Sequence, residues 1–160
     1  MITIQKINPR TATVRRLIAE LDAYQRALYP AESNHLDPVD ELTKDHVYFV
    51  GAFDRATILG CGAVKIMPGG YGEIKRMYVS PQARGQGVGR QIIQTLEEFL
   101  AAAQVFMARL ETGIYQQEAL ALYTKCGYQV IGPFGDYPDD PLSVFMEKEL
   151  TLPSHLGREL

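Results

Sequence analysis

The sequence predicts one α+β domain of three α/β/α layers, in which helices cover a mixed central sheet. Three observations support this fold class. The chain has 160 residues, which fits a single domain. Predicted strands outnumber predicted helices, and helices interrupt the strands mainly in the second half of the chain. No repeat, low-complexity run or linker divides the sequence, so we expect one domain over residues 1–150 and a C-terminal tail over residues 151–160.

The first elements are expected to be a strand and a long amphipathic helix. Residues 2–7 alternate between apolar and polar side chains, which is typical of a strand. Thr11 or Thr13 can cap the helix that follows, and Pro30 ends it. Its apolar face consists of Val14, Leu17, Ile18, Leu21, Tyr24 and Leu28. The next segment is polar and rich in turn residues, with room for a short helix after Pro38.

The remaining elements are six strands and two helices. Apolar spacing after Gly89 predicts a helix that packs on the sheet. A second helix is expected over Glu118–Cys126, with Gly127 as the residue that follows its C-cap. The strands are expected at residues 46–53, 57–67, 73–79, 105–112, 128–132 and 143–150.

Composition excludes several classes of function. The net charge of −3 gives no general positive field for nucleic acid. No apolar run approaches the ~18–20 residues of a membrane helix, and the first residues show no signal-peptide pattern. Cys61 and Cys126 are too few for a disulfide framework, and their spacing matches no zinc site. We therefore expect a reduced, cytoplasmic protein without a metal, a membrane or a nucleic-acid partner.

The stretch "RMYVSPQARGQGVGRQII", residues 76–93, joins a strand to a helix through three alternate glycines. Glycine allows positive φ and lets a ligand approach the backbone. The free N–H groups and the dipole at a helix start favour an anion, and Arg84 and Arg90 add positive charge. The turn therefore predicts a pyrophosphate cradle; the alternative is a tight turn that binds nothing.

The glycine spacing discriminates between phosphate ligands. No Lys-Ser/Thr pair completes a Walker A loop, and residue 90 is arginine where a dinucleotide fingerprint needs glycine. The pattern Arg84-x-x-Gly87-x-Gly89 after "MYVSP" resembles the acetyl-CoA signature of the GNAT N-acetyltransferase superfamily. "QQEALALYTKCGYQVIG", residues 116–132, resembles a second motif of that superfamily, and the likeness covers roughly residues 45–150. The segments "GEIKRMYV" and "GPFGDYPDDPLSVFMEK" resemble a bacterial subgroup labelled indole-3-acetic acid acetyltransferase-like.

The resemblance implies a fold and a cosubstrate. It implies a GNAT fold, with about six to seven strands splayed at the acetyl-CoA site and about four helices. The backbone of Met77, Tyr78 and Val79 would pair with the pantetheine amides. Dimers are common in the superfamily, so a homodimer is one expectation. The expected residues of the pyrophosphate site are Arg84, Gly85, Gln86, Gly87, Val88, Gly89 and Arg90, with a weaker expectation that Gln116 contacts the CoA arm.

Acyl transfer to an amine needs a base and an acid. An aliphatic amine has a pKa near ~10 and must lose a proton before it attacks. The thiolate that leaves gains from a proton donor. The resemblance places Tyr123 near the CoA sulfur as the acid, although a tyrosine there could instead only pack in the core. Glu73 and Glu111 are alternative bases on two neighbouring strands, and either could be a mere strand-end charge.

The acceptor site is expected in the early helix and in the loops at residues 29–38 and 133–142. The acidic side chains favour a cationic acceptor, whereas Lys75 and Arg76 could hold a carboxylate; an amino acid would satisfy both. The sequence thus predicts an N-acetyltransferase for a small primary amine or amino-acid-like acceptor. The alternatives are a protein N-terminal or lysine acetyltransferase and a non-catalytic acyl-CoA-binding module. The predicted acceptor contacts are Tyr29, Asn34, His35, Arg76, Asp136 and Tyr137.

Overall fold

The computed structural model describes residues 1–151, so the predicted tail lies almost entirely outside the described residues. Two short 3-10 turns lie at Ala31–Ser33 and Pro81–Ala83. The helices are α1 (Ala12–Leu28), α2 (Val39–Leu42), α3 (Val88–Ala102) and α4 (Gln117–Lys125). The strands are β1 (Ile2–Lys6), β2 (Val47–Asp54), β3 (Thr57–Met67), β4 (Tyr71–Val79), β5 (Met107–Gly113), β6 (Gln129–Ile131) and β7 (Ser143–Glu149).

The seven strands form one mixed sheet in the order β1-β2-β3-β4-β5-β7-β6. Neighbouring strands are antiparallel except for β4 and β5, which are parallel. These two strands pair only from Gly72 to Ile74, opposite Ala108 to Leu110. Beyond Ile74 the strands separate, so the sheet is splayed as the resemblance implied.

Helices cover both faces of the sheet, because each strand sends alternate side chains to opposite sides. Val50 and Val64 lie in the large core cluster with the apolar face of α3. Phe49 and Ala63, their chain neighbours, pack in a second cluster with Val14, Leu17 and Ile18 of α1. The three-layer prediction is therefore confirmed.

The predicted apolar face of α1 is correct for its first half and wrong for Tyr24. Val14, Leu17, Ile18 and Leu21 are buried, but Tyr24 is 38% exposed. The second half of α1 lies beside the opening between β4 and β5, where Leu21 borders a cavity.

A β-bulge lies where β4 parts from β5. Tyr78 pairs with Cys61 and Lys75 pairs with Ala63, so two residues of β4 oppose the single Gly62. Arg76 adopts a left-handed φ of 56°, which is unusual for a side chain of this size. Bulges bend a strand, and this one turns β4 away from its parallel neighbour.

The helix ends agree with the predicted cap chemistry. Gly127 follows α4 with a φ of 97°, which confirms its predicted place after the C-cap. α3 begins at Val88, so Gly89 lies inside the helix rather than before it. In residues 1–151 no helix has the length and apolar character that a membrane crossing requires.

Candidate active site

A cavity of about 60 Å³ opens between the separated halves of β4 and β5. α1, α4 and the segment at residues 29–37 close it from the other sides. Eight of the side chains that the sequence singled out meet at its wall: Tyr29, His35, Lys75, Arg76, Met77, Glu111, Gln116 and Tyr123. The strand before the glycine turn, the second predicted motif and the early loop therefore converge on one place.

Glu111 is the carboxylate of this cavity. It is largely buried, and the Ser143 hydroxyl donates a hydrogen bond to its Oε2 over 2.8 Å. The pKa of Glu111 is raised from 4.5 to about 7, mainly by burial and to a smaller extent by the nearby charges of Glu73 and Asp140. The hydrogen bond from Ser143 and the charge of Lys75 oppose this rise. Near neutral pH the carboxyl is thus present in both protonation states.

Glu73, the other candidate base, lies on the same face of the sheet but is engaged elsewhere. It is only 4% exposed and does not border the cavity. The Tyr137 hydroxyl donates to its Oε2, and the Lys75 ammonium lies 3.5 Å from the same oxygen. Its carboxylate therefore takes part in a buried polar network instead of facing an open space.

Tyr123 lies on α4 with its side chain 6% exposed at the cavity wall. Its ring packs edge-on to Tyr128 at a centroid distance of 6.0 Å, so it also contributes to the core. Burial raises the pKa of the Tyr123 hydroxyl well above its ordinary value, which keeps the proton on the oxygen. That proton is available to a basic group that enters the cavity.

The two cations that were expected to hold a carboxylate are both occupied. Lys75 donates to the carbonyl of His35 and to the Tyr137 hydroxyl, and it lies 3.4 Å from Asp37. Arg76 is buried; its guanidinium forms an ion pair with Asp22 and donates from Nε to the carbonyl of Asp37 over 2.9 Å. These donors hold α1 and the 29–37 segment in place, and because Arg76 also borders the cavity, its role in acceptor binding stays a prediction.

The two acceptor loops are connected across the cavity. The Ser33 hydroxyl donates to Asp140, and Lys75 contacts both His35 and Tyr137. Tyr29 reaches the other wall, where its hydroxyl accepts a hydrogen bond from the Tyr115 amide over 3.0 Å. The cavity is thus closed on the side of these loops.

Three of the predicted acceptor residues, Asn34, Asp136 and Tyr137, do not border the cavity. The Asn34 amide donates to the carbonyls of Tyr29 and Pro30 over 3.4 and 3.3 Å. Asp136 is exposed at a turn. The Tyr137 hydroxyl instead donates a hydrogen bond to Glu73 and accepts one from Lys75. An acceptor contact by any of the three stays a prediction.

The glycine turn has the geometry of an anion site. Gly85 and Gly87 adopt positive φ values of 80° and 78°, and Gly87 is the N-cap of α3. Within residues 1–151 the backbone N–H groups of residues 85–90 receive no protein acceptor. Free N–H groups at a helix start are what a phosphate needs. Arg84 flanks the turn, with its Nε donating to the carbonyl of Val79 over 3.3 Å.

Gly89 and Gln116, two of the predicted CoA contacts, each have a structural role in the fold. A Cβ on Gly89 would lie 2.8 Å from Leu122, so this glycine lets α3 approach α4. The Gln116 side chain accepts a hydrogen bond from the Gly113 amide over 3.2 Å and so fixes the turn from β5 into α4. Neither observation tests a contact with CoA. Within the described part of the chain no three His, Cys, Asp or Glu side chains are grouped as a metal site.

Sequence reasoning missed two residues of this site. Asp37 joins Lys65, Lys75 and Arg76 across three elements. Ser143 holds Glu111 from the neighbouring strand. Serine and aspartate in polar segments are common, and only the partner that the fold brings to each of them reveals its part in the site.

Comparison with known proteins places this geometry in a family. The model of the acetyltransferase (GNAT) family matches residues 14–128. An IAA acetyltransferase from Azospirillum brasilense is 48% identical over 93% of this chain and 98% of its own length. A provisionally named acyl-CoA N-acyltransferase from Klebsiella pneumoniae is 41% identical and superposes with a TM-score of 0.81 over 94% of this chain and 99% of its own.

A more distant structure shows the same fold. The PaiA N-acetyltransferase from Thermoplasma acidophilum, solved in complex with coenzyme A, is 19% identical and has a TM-score of 0.72 over 93% of this chain and 99% of its own. The seven-stranded splayed sheet, the family match and the close relatives agree with one another. The chain belongs to the acetyltransferase (GNAT) family and, within it, to an IAA-acetyltransferase-like subgroup.

Proposed function

We propose that the protein transfers the acetyl group of acetyl-CoA to a primary amine of a small molecule, by direct attack within a ternary complex. Glu111 takes the proton of the amine, and Tyr123 donates a proton to the departing thiolate. One observation carries this assignment: a carboxyl with a pKa of about 7 and a protonated tyrosine hydroxyl border the same cavity, at the place where β4 and β5 separate.

The pKa of Glu111 suits a general base. An aliphatic amine with a pKa near ~10 arrives mostly protonated and needs a group that can accept its proton, directly or through one water. At neutral pH an ordinary glutamate is a weak base, whereas a carboxyl with a pKa of about 7 is a stronger one and is still about half ionised. Glu73 is the less suitable base, because Tyr137 and Lys75 already occupy its carboxylate.

The binding of acetyl-CoA is supported by two backbone features. The N–H groups of residues 85–90 offer a cradle to the pyrophosphate. β4 has no partner on β5 beyond Ile74, so Met77, Tyr78 and Val79 can pair with the pantetheine arm along that edge. The arm then leads from the glycine turn toward Tyr123, and the PaiA relative was solved with coenzyme A.

The closed acceptor side favours a small molecule over a protein. A protein N-terminus or lysine side chain needs an open cleft, whereas Ser33 and Asp140 join the two loops across this one. The acceptor is more suitably an amine than an amino acid, because Lys75 and Arg76 already form hydrogen bonds and ion pairs within the fold. The relative from Azospirillum brasilense, an IAA acetyltransferase, is a reason to include indole compounds in any screen.

A thiol-release assay with acetyl-CoA and a panel of amines tests the proposal. For the wild type, kcat/KM should rise with pH through about 7 as Glu111 ionises. Glu111→Gln should remove this rise and lower kcat by about 10²–10⁴. Glu73→Gln is the matched control and should keep the rise. Acetyl-CoA binding without thiol release from any amine would favour the non-catalytic module instead.

A further inference from the structure

The hydroxyl of Ser143 is placed against Glu111 by strand register. In the β5–β7 pair, Glu111 lies opposite Phe145, and Ser143 lies opposite Gly113. Ser143 and Phe145 are two residues apart on β7, so both face the same side of the sheet as Glu111. Diagonal neighbours of this kind are within reach of one another. The Ser143 Oγ donates to Glu111 Oε2 over 2.8 Å.

We propose that Ser143 is a positioning residue for the acetyl transfer, since its hydroxyl holds one oxygen of Glu111 and leaves the other to meet the amine. This inference rests on the proposed function, in which Glu111 is the base. In the described residues, Glu111 Oε1 receives no hydrogen bond, so the two oxygens have different tasks. An ionised carboxylate only accepts hydrogen bonds, and a serine hydroxyl supplies the single donor that this arrangement needs.

Asp140 fixes the turn that presents the Ser143 hydroxyl. The amide of Ser143 donates to the carbonyl of Asp140 over 2.9 Å, and the amide of Leu142 donates to Asp140 Oδ1 over 2.9 Å. Asp140 Oδ2 accepts from Ser33 on the opposite loop. The amide of Ile114 donates to the carbonyl of Leu142 over 3.0 Å. Because four hydrogen bonds hold this turn, they fix the position from which the Ser143 hydroxyl contacts Glu111.

The charges around Glu111 make the hydrogen bond from Ser143 important for the ionisation of this carboxyl. Lys75 on β4 favours the ionised form, whereas Glu73 on β4 and Asp140 on the turn disfavour it. The other titratable groups that sense Glu111 are the hydroxyls of Tyr29, Tyr123 and Tyr137, and these are neutral near pH 7. In this buried site, the hydrogen bond from Ser143 and the charge of Lys75 are therefore the two interactions that favour the ionised carboxylate.

A ¹³C NMR titration of glutamate side-chain carboxyls measures the effect without an acceptor. The Glu111 resonance is assigned by its loss in Glu111→Gln. Its pKa should rise by about one in Ser143→Ala, since a hydrogen bond to a charged group is lost. Ser143→Thr, which keeps the hydroxyl, should restore it. Thr43→Ala, which removes an exposed hydroxyl bonded to the carbonyl of Asp40, is the control and should change nothing.

The pH–rate profile gives the second readout. Ser143→Ala should move the midpoint of kcat/KM about one pH unit higher and lower the rate at pH 7 about fivefold, while the KM for acetyl-CoA stays unchanged. A Glu111 pKa that is the same in Ser143→Ala and wild type would overturn the inference. If no amine is acetylated, the proposed function fails, yet the NMR titration still decides whether Ser143 controls Glu111. Ser143→Cys, a weaker donor of similar size, replaces the alanine variant if that variant does not fold.

Discussion

Glu111→Gln is expected to stabilise the folded protein at neutral and alkaline pH while it abolishes the proposed transfer. In the folded chain the pKa of Glu111 is about 7, against an ordinary value of 4.5. Below pH 4.5 the carboxyl is protonated in both states and changes nothing. Between pH 4.5 and 7 the unfolded state releases a proton that the folded state keeps, so the free energy of unfolding decreases as pH rises. Above pH 7 the loss is complete.

The size of this effect follows from the two pKa values. One pKa unit corresponds to 1.36 kcal/mol, so a difference of about 2.5 costs the wild type about 3 kcal/mol at pH 8.5. At pH 5 only a part of the titration has occurred and the cost is about 1 kcal/mol. Glutamine does not titrate, and its side-chain oxygen can still accept the hydrogen bond from Ser143. The variant should therefore avoid the whole cost.

Urea denaturation of the wild type and Glu111→Gln at pH 5 and pH 8.5 measures the difference. We expect the variant to be more stable by about 3 kcal/mol at pH 8.5, or about 6–12 °C in Tm for a chain of this length. Glu98→Gln, a change at an exposed residue of α3, is the matched control. Equal pH dependence in the wild type and Glu111→Gln would show that burial does not perturb this carboxyl, and the assignment of the base would lose its support.

Three further substitutions test other parts of the site. Tyr123→Phe should lower kcat ten- to a hundredfold, about 1.4–2.7 kcal/mol, with acetyl-CoA affinity unchanged by calorimetry; an unaltered kcat would exclude the hydroxyl from the reaction. Gly87→Ala forces a side chain into φ 78° at a cost of about 1–2 kcal/mol and should weaken acetyl-CoA binding about tenfold. Gly132→Ala is the control: its added Cβ meets no atom within 4 Å, so acetyl-CoA binding should not change. Gly113→Ala places a Cβ 1.9 Å from the Tyr29 hydroxyl and should reduce stability in urea by about 1–3 kcal/mol; a change as small as that of Gly132→Ala would mean that Tyr29 moves freely.

The fold could be predicted because the sequence patterns that indicate its strands and helices are local. Apolar runs on either side of a short turn predicted residues 57–67 as a strand, and the structure has the same bounds for β3. The apolar period after Gly89 and the glycine at position 127 predicted α3 and the end of α4. Tyr24 was predicted wrongly because burial depends on what lies opposite a helix, and the spacing along α1 cannot show that the sheet is open there.

Residues of the site could be predicted from the sequence only where a residue type has one usual role, as glycine has in a turn. The positive φ values of Gly85 and Gly87 agree with the predicted turn. Arg76 contacts Asp22, and Lys75 contacts His35 and Tyr137. These hydrogen bonds join residues that lie between 40 and 62 positions apart in the sequence. No local pattern reports such contacts. The pair of basic residues on β4 suggested a carboxylate site, and the structure shows that both side chains also support the fold.

The burial of Glu111 is itself an argument for a function at this place. Its desolvation costs about 3 kcal/mol above pH 7, which is a large part of the stability of an ordinary domain. A charge kept only for structure would have a full ion pair, as Arg76 has with Asp22, whereas Glu111 has one serine hydroxyl. The separation of β4 and β5 frees a backbone edge for a ligand and creates the poorly solvated space around this carboxyl. Because strongly perturbed carboxyls in clefts are typical of catalytic groups, this cost favours the proposal that Glu111, rather than Glu73, is the general base.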